Sequence, residues 1–153
     1  MSTEKEKLIR EPIGRIMGKI SKMFLANLQR NLSHLDIERS FYPLLLIEAG
    51  GGKLTQQELA NELSCDKVQV VRIIDYLSLN GYVERVQNPK DRRVYELQIT
   101  DKAREVIPDI KNTIHEVSGK ALQGLAPEKI NELYTTIRLI EKNLLSYKIN
   151  STK

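Results

Sequence analysis

Apolar residues recur along this chain at two periods. From Leu8 the positions Ile9, Ile13, Ile16/Met17, Ile20, Met23/Phe24, Leu28 and Leu32 keep helical spacing almost to Ser33. Pro12 fits only a first turn, so regular helix is expected to begin there. After the connector His34-Leu-Asp36, a helix is predicted from about Ile37 to Ala49, with Pro43 forcing a kink or a late start. Leu59, Ala60 and Leu63, then Val70, Ile73/Ile74 and Leu77, give two shorter helices. From Tyr82 the period drops to two: Tyr82–Val86 and Val94–Ile99 read as strands joined by a turn at Gln87–Arg93. Helical spacing returns at Ala103, Val106/Ile107, Ile110, Ile114, Val117 and Ala121, with Pro108 expected to bend that helix. After a break at Gly124-Leu-Ala-Pro127 it resumes at Ile130, Leu133, Ile137, Ile140 and Leu144. Residues 1 to 7 and the tail from Lys148 are polar and expected to be loose.

The boundaries in the middle are marked by polar residues with defined jobs. Thr55-Gln-Gln-Glu58 is a capping box, so a helix starts at about Gln56, and Leu54 and Leu59 flank it as a hydrophobic staple. That helix runs to about Ser64. Asp66, with Gln69 three positions on, caps the next one, and Asn80-Gly81 supplies a left-handed stop. A short helix, a tight turn and a longer helix make a helix-turn-helix. The hairpin that follows makes it a winged one, and its tip carries Lys90, Arg92 and Arg93 beside a single Asp91. Positive charge at the most projecting point suits a phosphate backbone.

The run LTQQELANEL, the helix DKVQVVRIIDYL, the segment NGYVER, and Asp91 and Arg93 followed after six residues by Thr100 resemble the multiple antibiotic resistance regulator (MarR) family of bacterial repressors. The resemblance extends through most of the chain. It implies a mostly α fold with a small β-hairpin wing: a winged helix-turn-helix DNA-binding domain at 37–99, with dimerisation helices at 8–36 and 100–147. The broad apolar stripes of the terminal helices give dimerisation a reason of their own, since a small winged domain cannot cover them. Two recognition helices held one DNA turn apart, roughly 34 Å, would read an inverted repeat.

Composition narrows the alternatives. The 153 residues allow one functional unit, and 41% hydrophobic with 29% charged residues suits a soluble globular protein. No apolar run approaches the length of a membrane span of about 18 residues, and the charged start MSTEKEK is no signal peptide, so no membrane partner and a cytoplasmic location are expected. The net charge of +4 favours an anionic partner only weakly. Gly50-Gly-Gly52-Lys53 fails as a phosphate loop, because Leu54 stands where Ser or Thr is needed and Ile47 where Gly is needed; it reads as a turn.

On the second helix of the motif, Val70, Ile74 and Leu77 point inward. That leaves Lys67, Val68, Gln69, Val71 and Arg72 for a major groove: Gln69 can pair with adenine, Arg72 with guanine, and the valines can lie against thymine methyls. Thr55 and Gln56 are positioned for phosphate. By the resemblance, Arg93 reaches the minor groove, Asp91 orients it, and Lys90 and Arg92 lie near phosphates. A solvated charged surface is the plainer reading of each.

Other chemistry finds little support. Cys65, the single cysteine, excludes an internal disulfide and a cysteine-rich zinc site, and reads as a small turn residue rather than a redox sensor. His34 and His115 are the two histidines, too few and too far apart in sequence for a regulatory metal, and no cofactor is implied. The resemblance implies a small, often phenolic effector in a crevice that Phe24, Phe41 and Tyr42 could line, although core packing accounts for them equally. The leading function is a homodimeric, effector-released repressor on double-stranded DNA. The alternative is a winged-helix protein-interaction module, against which the basic wing tip argues. No nucleophile with a base, metal cluster or phosphate loop supports an enzyme.

Overall fold

A computed structural model describes residues 11–147; the two ends expected to be loose lie outside the described residues. The chain divides into two compact units between Val117 and Ser118.

In the first unit, α1 (Ile13–Asn31) begins directly after Pro12, whose carbonyl accepts from the N–H groups of Arg15 and Ile16. It stops two residues earlier than the apolar spacing suggests, and Leu32 is buried in the core as its C-cap. Then α2 (Phe41–Ala49) starts late, as Pro43 requires: at the third helical position its missing N–H is one of the donors a helix leaves unpaired in any case. Ile37 is instead buried from the preceding turn. Phe41, Leu44 and Ile47 of α2 pack at the centre of a core completed by Leu59, Val70, Ile74, Leu77, Val83, Leu97, Ala103, Ile107 and Ile110. Their recurrence at three- and four-residue steps puts one face of each helix inward.

The capping box is made in full. Thr55 N–H donates to Glu58 Oε2 at 2.8 Å, and Glu58 N–H donates back to Thr55 Oγ1 at 3.3 Å, opening α3 (Gln56–Glu62). Asp66 Oδ1 accepts from Gln69 N–H at 2.7 Å and opens α4 (Lys67–Leu79). Between them Ser64 takes φ +49°, a left-handed turn made without glycine, and Cys65 is half-buried against the core. Gly81, at φ +77°, stops α4 as expected.

The wing pairs β1 (Val83–Gln87) with β2 (Tyr95–Ile99), antiparallel, in the register Val83↔Ile99, Arg85↔Leu97, Gln87↔Tyr95. Both strands start one residue later than their alternation indicates. Tyr82 is spent on burial beside the helix stop, and Val94 on closing the turn through its N–H to Asp91 O at 3.0 Å. The free edge of β2 is partly covered: Leu97 N–H donates to Leu54 O at 2.8 Å, and Thr55 bridges Glu96. The capping box and the wing are thereby tied to one another. Finally α5 (Asp101–Ala121) runs through Pro108 without ending.

In the second unit α6 (Pro127–Tyr147) starts with Pro127 in its first turn. Leu133, Ile137 and Leu144 are exposed on it. No described helix is long and apolar enough to cross a membrane.

Candidate nucleic-acid interface

The face that sequence reasoning selected is assembled from three separate stretches. The start of α3, the start of α4 and the second half of the wing enclose an open cleft of about 360 Å³, lined by Thr55, Gln56, Lys67, Val70, Arg93 and Tyr95 among others. Four of the predicted residues, Thr55, Gln56, Lys67 and Arg93, therefore share one surface although they come from three separate stretches of sequence. Along α4 the inward set is buried as expected, while Val68, Gln69 and Arg72 are exposed and Val71 is half-buried. Val68 is 62% exposed, an apolar side chain held in water at the leading end of the helix.

The wing tip is a built turn. Asn88 Oδ1 accepts from the N–H groups of Lys90 and Asp91 at 2.8 and 3.1 Å, and its Nδ2 donates to Glu96 Oε1 at 2.7 Å. Asp91 Oδ1 accepts from Arg93 twice, from the backbone N–H at 3.0 Å and from Nε at 3.3 Å. The guanidinium is thus held by its inner nitrogen, with the side chain 91% exposed and the terminal nitrogens without a hydrogen-bond partner among the described residues. Lys90 and Arg92 are exposed beside it. Three cations against one carboxylate, itself engaged with Arg93, leave the tip positive.

At Glu58, next to this face, the Thr55 backbone N–H, then its hydroxyl, hold the carboxyl below its ordinary range. Its charge is committed to the helix cap.

Sequence reasoning missed several members. Gln57, Val94 and Tyr95 also line the cleft. Tyr95 is opposite Gln87, whose Nε2 donates to its hydroxyl at 3.3 Å and to Arg92 O at 3.1 Å, a pairing legible only once the register is known. Arg85, on the first wing strand, donates from Nη2 to Asp75 Oδ1 of α4 at 2.6 Å, a contact between elements that the sequence pattern does not show. The effector residues are not brought together. Phe41 is core, 2% exposed, Tyr42 beside it is 59% exposed, and Phe24 is half-buried on α1. A cleft of about 260 Å³ that Phe41 borders has Leu32, Leu35 and Tyr76 as further walls, and neither Phe24 nor Tyr42 lines it. Adjacent residues on a helix point about 100° apart, so Phe41 and Tyr42 could not both face one crevice closely. His34 is paired with Asp109 at 3.0 Å, and His115 is exposed.

The fold and this face define a winged helix-turn-helix protein. Residues 39–94 match the model of the MarR family. The HTH-type transcriptional regulator BilQ of Clostridioides difficile (strain CD3) is 25% identical over 131 residues, 86% of this chain and 88% of that protein. Among solved structures, a mutant MarR from E. coli complexed with operator DNA superposes with a TM-score of 0.77 at 24% identity, covering 91% of this chain and 99% of that one. CouR from Rhodococcus jostii RHA1 bound to p-coumaroyl-CoA superposes with a TM-score of 0.73 at 25% identity, covering 85% and 92%. The chain is thus similar to MarR-family transcriptional regulators, most directly over residues 39–94.

Proposed function

We propose that this protein is a homodimeric repressor that binds an inverted-repeat operator in double-stranded DNA and is released by a small-molecule effector. The observation that carries the reading is the shared cleft: Thr55, Gln56, Lys67 and Arg93 converge on one face, next to the exposed Val68, Gln69 and Arg72 of α4. Such a face can lay a helix in a major groove while the wing follows the backbone beyond it. Gln69 and Arg72 address base edges, Val68 and Val71 thymine methyls, Arg93 the minor groove, and Lys90 and Arg92 phosphates.

In this reading residues 37–99 read DNA, and residues 8–36 with 100–147 pair the protomers. Ile13, Ile20 and Met23 on α1 are 62%, 47% and 64% exposed, and Leu133, Ile137 and Leu144 on α6 are also bare. Each helix carries an apolar stripe that wants a partner surface, and a second copy supplies one by symmetry. The operator DNA held by the similar E. coli protein, and the p-coumaroyl-CoA held by the similar CouR, support the DNA and effector parts respectively.

The test is selection of bound fragments from a pool of the source genome, with the mass of the complex measured on the enriched site. A short inverted repeat carrying two protomers is expected. Recovery of no sequence above background, or of one protomer per site, refutes the reading.

A further inference from the structure

We propose that the Arg85–Asp75 ion pair is a positioning device that sets the opening between α4 and the wing, and through it the place at which Arg93 meets DNA. The inference rests on the DNA-binding reading above.

The row of β1 residues facing α4 alternates with period two. It begins at buried Val83, continues with Arg85 opposite buried Leu97, and ends at Gln87 opposite Tyr95. Apolar packing holds the base of the hairpin and stops at Leu97, short of the tip. A two-stranded ribbon is marginally stable by itself and twists freely, so its angle beyond the core needs another restraint. Arg85 supplies it: its Nη2 reaches Asp75 Oδ1 across the gap at 2.6 Å, with the arginine side chain 30% exposed and the aspartate 59%. Outward of the pair, Gln87 links Tyr95 to the Arg92 carbonyl, and Arg93 is the next residue. The restraint on α4 is carried in this way to the guanidinium.

A half-exposed pair of this kind contributes little to stability, so its use is in the geometry it fixes. The pair also sets Asp75 apart from an ordinary surface acid. A carboxylate near a DNA-binding face repels phosphate, and its neutralisation should tighten binding. A carboxylate that positions the wing should do the opposite.

The experiment measures affinity for the selected duplex, by fluorescence anisotropy at fixed salt, for the unaltered protein, Asp75→Asn, Arg93→Ala, the double variant, and the exchanged pair Asp75→Arg with Arg85→Asp. Asp75→Asn is expected to weaken binding about tenfold, within the range that loss of one groove contact costs. Little further loss is expected when Arg93→Ala is already present, because the two changes remove the same contact. The exchanged pair should recover most of the affinity, and it serves as the folded control, compared by thermal melting. Asp75→Asn binding as tightly as the unaltered protein or more so, losses that simply add with Arg93→Ala, or an exchanged pair that melts normally without regaining affinity, would each overturn the proposal while leaving the DNA-binding reading intact. An unaltered protein that selects no DNA overturns both.

Discussion

Thr100 Oγ1 donates a 2.6 Å hydrogen bond to the carbonyl of Gly81, 19 residues earlier in the chain. The same oxygen accepts from Ala103 N–H at 3.2 Å, and Thr100 N–H donates to Tyr82 O at 3.1 Å. Lys102 adds a bond from Nζ to Asn80 O at 2.7 Å while its ammonium lies 4.3 Å from the centre of the Tyr82 ring. The end of α4, the entry to the wing and the first turn of α5 are therefore joined at one point. A threonine there serves a strand end, a helix stop and a helix start together.

Replacing Thr100 by valine keeps the shape and removes the hydroxyl. Gly81 O and Ala103 N–H each lose a partner, at a cost of about 1–3 kcal/mol. Urea unfolding at equilibrium measures it: the midpoint should fall with an unchanged slope.

The capping box makes stability pH-dependent with a defined sign. Glu58 titrates below its ordinary value of 4.5 in the folded chain, so its contribution is complete above that value and disappears as pH falls through the lowered one. Glu58→Gln should melt below the unaltered protein at neutral pH, and the gap should close on acidification. A gap that stays constant down the acid limb would exclude this origin. Thr55→Ala, which removes the cap oxygen, should cost about 1 kcal/mol.

Gly50 is required for space rather than for backbone freedom. Its φ of −70° suits any residue, but a Cβ there would stand 2.6 Å from Leu54 Cβ, an atom next to the backbone that cannot swing aside. Gly50→Ala should therefore destabilise by about 1–3 kcal/mol, the usual cost of overpacking. Thermal unfolding of this variant beside Gly14→Ala, where the added Cβ meets nothing within 4 Å, tests it.

Arg93→Ala should weaken operator binding by about 1–3 kcal/mol and leave folding unaffected, since the side chain is 91% exposed and, among the described residues, pairs with Asp91 alone. Affinity at physiological salt together with a melting curve separates the two effects.

Most of the fold was legible because its boundaries are written in local chemistry. Thr55 with Glu58, Asp66 with Gln69, and Gly81 mark α3 and α4 within a residue or two. The wing strands were read one residue early, because alternation cannot distinguish Tyr82, buried beside the helix stop, from the first residue of a ladder. The face proposed for DNA was legible in its basic and exposed residues, which are defined by type and by position on a helix. What escaped were the relations between elements. Tyr95 enters the cleft only through its register with Gln87, and Arg85 meets Asp75, ten residues away on another element. The different placing of Phe41 and Tyr42 escaped for a related reason. A single apolar run gives no sign of which members a core will claim, and the core claimed Phe41.

We propose that the wing and α4 form a phosphate-binding face, and the salt dependence of affinity for the selected duplex tests this most directly. For the unaltered protein, log affinity should fall steeply and linearly with log salt. The slope should lose about four units when Lys90 and Arg92 are both changed to alanine, one for each cation on each of two protomers. A flat dependence, or a slope that the double variant leaves unchanged, would contradict the account.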